Sequence, residues 1–429
     1  MQTADIFSKK KTWLSLAVFL TAVVSVWPTI ASVFLFDDFR LVAEHPAFAH
    51  PVPFIPFLSH EILEGLKAES LFRPIFMLTV FFQGMAFHHD PILSHGLNVA
   101  LHATVAVLLF HLVASFWGVS FRTFLASMIF AAHPIHVDAV AFVKNRSELL
   151  AALFLLLAAI FLVQNVRWKE LFSWKRLRFD CVAGGWGTTV AASTLFFCAL
   201  GSKESAVAGV EILAVFLALR WFRGAPIARS SIWKLTFPLG AALAFYLLAR
   251  IEVLGTIALS KDAFFPSGVP LWQRLLIFSR ISYEYLSLLF FPLGLRVDYL
   301  HLRPEVWIND SLTFLSVAVH VLLLGIAAFA FRRARLFSFL ILGFYVSLLP
   351  VSHIMPFGDV MAERFLYVPS VFFCVAVAWA VEKLRGPARG WVLRWVVAGS
   401  LVVGYGAGSF RYSQAFASAP SLWSEMVAR

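Results

Sequence analysis

A chain of 429 residues in which 60% are hydrophobic and 14% charged has too few water-facing groups to cover a soluble fold, where about a quarter of residues carry charge. Its net charge of +11 falls in short clusters between apolar runs, which excludes a nucleic-acid surface and reads as a membrane-topology signal. Cys181, Cys198 and Cys374 sit in apolar runs without a Cys or His at metal spacing, so neither a disulfide framework nor a zinc site is expected.

Apolar runs of about 20 residues, each able to cross ~30 Å of hydrocarbon, recur along the chain. They are longer and more continuous than the ~10-residue alternating segments of a membrane barrel, so the expected class is an all-α polytopic membrane protein. The first run follows Lys9-Lys10-Lys11, is too long for a signal-peptide core and lacks a small-residue cleavage site, so it reads as a retained span. Spans are expected at roughly 13–35, 95–117, 121–134, 147–166, 181–200, 205–222, 232–250, 311–331, 336–351, 365–382 and 391–408. A cytoplasmic N-terminus puts the basic clusters at 167–178, 220–234, 332–335 and 383–394 on one side, with most carboxylates on the other. The segment 272–291 is apolar but holds Arg274, Arg280 and Glu284. It is read as an interfacial or re-entrant helix on the outer face, giving about eleven spans and an outer C-terminus; counting it as a span gives twelve. The first outer loop, 37–94, has helix-like stretches at 59–68 and 74–87, and a second outer segment covers 251–310. The expected division is a membrane domain over 1–410 and a short outer tail over 411–429.

Candidate chemistry gathers at the outer edge. Asp37-Asp38 directly follows the first span, where mutual repulsion and partial desolvation raise a carboxylate toward the range of a general base. The bland reading is an acidic helix end. His133-Pro134-Ile135-His136-Val137-Asp138, Lys144-Asn145-Arg146-Ser147-Glu148, Ser202-Lys203-Glu204-Ser205, Asp298-Tyr299 and Glu363-Arg364-Phe365-Leu366-Tyr367 occupy the same edge. Taken singly, Lys203-Glu204 fits a salt-bridged turn and the two histidines fit helix caps. The His133/His136 spacing suits a metal only with a third ligand, for which Asp38 or Asp138 is a guess, so no metal or other cofactor is required. Together, ionisable groups next to hydrocarbon are functional or paired. Cations that hold a lipid phosphate and a carboxylate that activates a hydroxyl fit transfer from a lipid-phosphate donor. A lipid or solute transporter is the alternative, and would place polar groups near the midplane instead.

The motifs Phe-Asp-Asp-Phe (36–39), Phe-Arg-Pro with Arg73 (72–74), Ser-His-Gly-Leu-Asn-Val-Ala-Leu-His (94–102) and His-Pro-Ile-His-Val-Asp-Ala-Val-Ala (133–141) occur in this order. They continue with Arg-Ser-Glu-Leu-Leu-Ala-Ala (146–152), Ser-Lys-Glu-Ser-Ala-Val (202–207), Phe-Pro-Leu-Gly-Leu-Arg-Val-Asp-Tyr (291–299) and Ala-Glu-Arg-Phe-Leu-Tyr-Val-Pro-Ser (362–370). The series resembles the membrane domain of the TMTC family, the transmembrane and tetratricopeptide-repeat O-mannosyltransferases of the GT-C glycosyltransferase superfamily. The resemblance implies a GT-C-like fold and inverting transfer of a sugar, usually mannose, from a polyprenyl- or dolichyl-phosphate donor. The acceptor would be a protein or glycan hydroxyl on the periplasmic or luminal face of a bacterial inner membrane or endoplasmic reticulum membrane. It maps the base onto Asp37, with Asp38 orienting the acceptor or a metal, and the donor phosphate onto Arg146, Lys203 and Arg364. Arg73, His133, His136, Asp138, Glu148, Glu204, Asp298, Tyr299, Glu363 and Tyr367 are then supporting polar groups. Family members commonly continue into tetratricopeptide repeats, whereas this sequence stops at Arg429, so a lipid or glycan acceptor stands beside a protein one.

Overall fold

Backbone groups in hydrocarbon must be paired within their own element, so an apolar chain of this length folds as helices that meet side by side. The computed structural model describes residues 2–43, 72–164, 186–221, 229–256, 269–299, 310–354, 358–384 and 390–427, and every regular element among them is helical. In chain order these are α1 (Gln2–Val26), α2 (Pro74–Phe87), α3 (Pro91–Trp117), α4 (Phe121–Ala132), the short α5 (Val137–Ala141) and α6 (Arg146–Gln164). They continue with α7 (Trp186–Ser202), α8 (Ala208–Trp221), α9 (Arg229–Leu254), α10 (Leu271–Phe290), α11 (Ser311–Arg333), α12 (Arg335–Leu348), α13 (Ser370–Glu382), α14 (Gly390–Ala415) and α15 (Ala419–Val427). The expected stretches at 59–68 and 167–178 lie outside the described residues.

Among the described residues six helical segments are long and apolar enough to cross a membrane: Lys9–Ala31, Pro91–Trp117, Val143–Val163, Ile232–Leu254, Ser311–Arg333 and Gly390–Ala415. Phe121–Ala132 with Pro134–Ala141 makes a seventh if the pair, bent by 50°, is one span. The bend has a local cause. His133 precedes a proline and is extended (φ −72°, ψ 126°), because the proline ring disfavours helical geometry in the residue before it. Helix starts follow capping chemistry: Asp90 accepts from the backbone N–H of Leu93 ahead of Pro91, and Asp310 accepts from that of Leu312.

The helix expected to end near 408 runs on to Ala415, and Phe416 and Leu422 beyond it are buried. The segment 272–291 forms α10, with Ile277, Ile281, Tyr285, Leu288 and Leu289 buried against the rest of the core. One apolar core joins α1, α3, α4, α10, α12, α13 and α14, and a second gathers α2, α7 and α9. Most of the turns that break helices meet at one end of the bundle: Pro134–His136, Val143–Asn145, Glu204–Val207, Leu349–Val351 and Glu363–Leu366. These 3-10 turns bring residues far apart in sequence into one ionic cluster.

Candidate active site

The two adjacent aspartates have opposite environments. Asp38 is fully buried and accepts backbone N–H groups from Val143 (3.0 Å, Oδ2) and Lys144 (2.7 Å, Oδ1). Burial pushes its carboxyl up to about 6 even though those two donors pull the other way. Asp37 keeps 47% of its side chain exposed, and its Oδ2 is ion-paired with the Lys144 ammonium. The divergence starts one residue earlier, where Phe36 takes a left-handed conformation (φ 49°), uncommon for a bulky residue, and turns the chain out of the α1 segment. Asp37 is therefore the accessible carboxylate of the two, and buried Asp38 is bonded to the backbone of the lysine that pairs with it.

Around this pair, Asp138 is buried and receives the backbone N–H of Arg364 at 3.1 Å, with the guanidinium Nη1 at 3.6 Å. Arg364 Nη2 also donates to Asp359 at 2.6 Å. Glu363 is fully buried, and its Oε1 accepts from the Arg296 backbone (2.5 Å), the Tyr299 hydroxyl (2.9 Å) and the Tyr412 hydroxyl (3.5 Å). Its Oε2 has no hydrogen-bond partner among the described residues. Burial first, and the charge of Asp138 second, hold the Glu363 carboxyl well above the usual carboxylate range. Through these bonds Glu363 ties α14 to the segment that carries Asp298 and Tyr299.

The expected phosphate ligands separate into layers. Arg364 reaches the surface of the cluster, but Lys203 is 3% exposed and ion-paired with Glu148. Arg73 is bidentate on Glu204 (2.9 and 2.6 Å). Arg146 is fully buried and donates to two neutral acceptors, Asn98 Oδ1 (2.8 Å) and the Ser94 carbonyl (3.2 Å). Arg146 and Lys203 are thus both buried and bound to internal partners, although Arg146 Nη1 has no hydrogen-bond partner among the described residues. Phe365 separates Lys203 and Arg364, each cation resting over its ring at just over 5 Å.

The histidines are committed as well. His133 Nε2 bonds the Leu289 carbonyl (2.9 Å) while its Nδ1 accepts from the Ile135 N–H, which makes it a cap. His136 bonds the Phe130 carbonyl and Ser370 Oγ, and His102 Nδ1 bonds the Tyr367 hydroxyl at 2.8 Å. No group of three or more His, Cys, Asp or Glu side chains among the described residues is placed to hold a metal ion.

A cavity of about 270 Å³ opens over the cluster, lined by Phe36, Phe142, Lys144, Asp298, Tyr299, Asp359, Arg364 and Trp423, among others. Sequence reasoning missed the parts played by Lys144, Asp359 and Trp423. Lys144 stood inside a charged string without a distinguishing pattern, Asp359 belonged to no motif, and Trp423 lay in the segment read as a short outer tail. A second cavity of about 260 Å³, walled almost wholly by apolar side chains of α3, α6, α8, α12 and α13, lies within the helices.

Fold and cluster together define a helical membrane protein with an acid–cation site built from its helix-breaking turns. No family model matches the sequence. Along most of its length the chain is similar to the TMTC family of protein O-mannosyl-transferases. It is 27% identical over 369 residues to a protein O-mannosyl-transferase of Caenorhabditis elegans, covering 82% of this chain and 49% of that protein. It is 23% identical over 418 residues to protein O-mannosyl-transferase TMTC3 of Homo sapiens (90% and 44% covered) and 28% identical over 363 residues to TMTC1 of Homo sapiens (73% and 38%). The chain spans about half the length of these relatives, or less.

Proposed function

We propose that this chain is a membrane glycosyltransferase of GT-C type that moves a sugar, mannose by the names of its relatives, from a polyprenyl-phosphate donor to an acceptor hydroxyl. The observation that carries the reading is that Asp37, an accessible carboxylate, is ion-paired with Lys144, which lines the cavity together with Arg364 and Asp37's chain neighbour Phe36. In the reaction, the acceptor hydroxyl gives its proton to Asp37 as its oxygen attacks the anomeric carbon. The bond from that carbon to the phosphate oxygen breaks with inversion, and the lipid phosphate leaves with the electron pair. Lys144 and Arg364 stand ready to hold the leaving phosphate, and Asp38, Asp138 and Glu363 keep their bearers in place.

The reading carries the topology inferred from charge: about eleven spans, a cytoplasmic N-terminus and the site on the periplasmic or luminal side of a bacterial inner membrane or endoplasmic reticulum membrane. Its acceptor is a protein or a glycan, and no metal is needed. The decisive experiment is sugar transfer from mannosyl polyprenyl phosphate in nanodiscs. Asp37→Asn keeps the shape but cannot take a proton, and is expected to cost about 10²–10⁴ in rate while the protein still binds the donor. Near-wild-type turnover in that variant removes the base assignment.

A further inference from the structure

We infer that Trp423, with Phe36, forms the apolar wall on which the donor's sugar ring lies. The inference rests on the transferase reading above and adds to it a residue from the segment that sequence alone set apart as a tail. A sugar phosphate asks three things of its site: cations for the phosphate, carboxylates for the hydroxyls, and an apolar plate for the ring face that carries C–H groups. One cavity supplies all three, with Lys144 and Arg364, Asp298 and Asp359, and Phe36 and Trp423 on its walls. The negative faces of aromatic rings attract the weakly positive C–H groups of such a ring face. The cavity, at about 270 Å³, falls just under the ~300–1,000 Å³ of drug-sized pockets and suits a single ring.

The aromatic pair is held for this purpose. Trp423 meets Phe36 edge-on (5.9 Å between centroids, 82°), yet they remain 49% and 44% exposed. Phe36 adopts its left-handed backbone next to Asp37, and strain of that kind persists only where the surrounding structure enforces it. Behind it, Phe142 packs edge-on against Phe416 (5.4 Å) and Phe416 against Tyr412 (5.3 Å). Leu422 is buried beside Trp423, and Ser418 accepts from the Ser421 N–H at the start of α15, so the indole sits on a fixed support.

A half-exposed tryptophan at a membrane edge is also a common interfacial anchor, and the two roles differ in what they recognise. Binding of mannosyl polyprenyl phosphate and of sugar-free polyprenyl phosphate to the full chain in nanodiscs separates them. Trp423→Ala should weaken the mannosyl lipid about three- to tenfold and leave the sugar-free lipid unchanged, with Trp423→Phe and Phe36→Leu intermediate. Equal loss for both lipids, or for neither, overturns the sugar-wall role. Trp423→Phe guards against misfolding: if it binds both lipids like wild type while the alanine variant is unfolded, a support role replaces the proposal. A wild-type chain that binds neither lipid removes the transferase reading itself, a result recognisable without any variant.

Discussion

Asp38 grips the backbone N–H of Lys144 at 2.7 Å while the ammonium of that same lysine is bonded to Asp37. One side chain thus sets the position of the cation that faces its neighbour. Two chemically identical residues side by side acquire different surroundings: the buried one fixes the backbone of a lysine, and the exposed one pairs with its ammonium.

The pH dependence follows from that division. Burial lifts Asp38 to about 6 in the folded protein, against about 3.9 in an unfolded chain. Between these values the folded state holds a proton that the unfolded state has released, so the stability this group contributes is present below the window and lost as pH rises through about 6. Activity should run the other way, because the carboxylate is the form that grips two N–H groups at full strength. Wild-type transfer is expected to rise as Asp38 deprotonates near pH 6, and Asp38→Asn, a poorer grip at every pH, should be slower and lack that limb. A rate–pH profile of both proteins, with thermal unfolding recorded at each pH, checks both directions.

Lys203 and Glu148 form a buried pair beneath the site. Removing one partner strands a charge, so Lys203→Met or Glu148→Gln alone should lower stability by about 3–5 kcal/mol, and the double change Lys203→Met with Glu148→Leu should restore most of it. Thermal melts in detergent measure this. Where Lys203→Met remains folded, its donor KM should stay near wild type. A raised KM at unchanged stability would return Lys203 to the phosphate site.

Glu363 offers the opposite test. Burial disfavours the charged form of Glu363, so the isosteric Glu363→Gln should stay within ~1 kcal/mol of wild type, its carbonyl oxygen still accepting from Tyr299 and Arg296. Glu363→Ala leaves those donors unpaired in the interior and should cost about 1–3 kcal/mol. Limited proteolysis near 296–299 and thermal melts report the difference. Equal damage from both variants would mean that a charge is needed there.

The helices were legible because length and apolarity suffice for them: 74–87 and the run beginning at 121 coincide with α2 and α4, and the Pro134 break explains why α4 stops two residues early. The cluster was legible as a set of motifs but not as a set of pairs. Asp38 meets Val143 across 105 residues, and Arg364 meets Asp138 across 226, separations that only tertiary packing closes. The same limit hid the difference between Asp37 and Asp38, which depends on Phe36's backbone and not on any neighbouring residue type. The helix α15 was not legible either, since a short mixed helix carries no span-like signal, and the burial of Leu422 on it appears only in the packing.

Arg364 tests the donor side. Its backbone N–H and Nη1 face Asp138 and its Nη2 holds Asp359, which leaves other donors of the fork able to meet a phosphate at the cavity wall. Arg364→Ala should therefore raise donor KM by the loss of a charge-assisted bond of about 1.5–3 kcal/mol, roughly ten- to a hundredfold. Some stability should go with it, since Asp138 is left buried with fewer partners. Arg364→Lys should recover part of the donor affinity but little of the bridging, because a point charge cannot serve Asp138, Asp359 and phosphate in one plane. The comparison that decides is Lys144→Ala, which frees Asp37 from its ion pair and removes the other cation on the cavity. If both cations hold the same phosphate, the double variant should bind donor no worse than the sum of the single losses, and a full coupling energy can be read from the cycle. Donor KM unchanged in Arg364→Ala and Lys144→Ala alike would place the phosphate elsewhere and leave both residues as struts for the two aspartates.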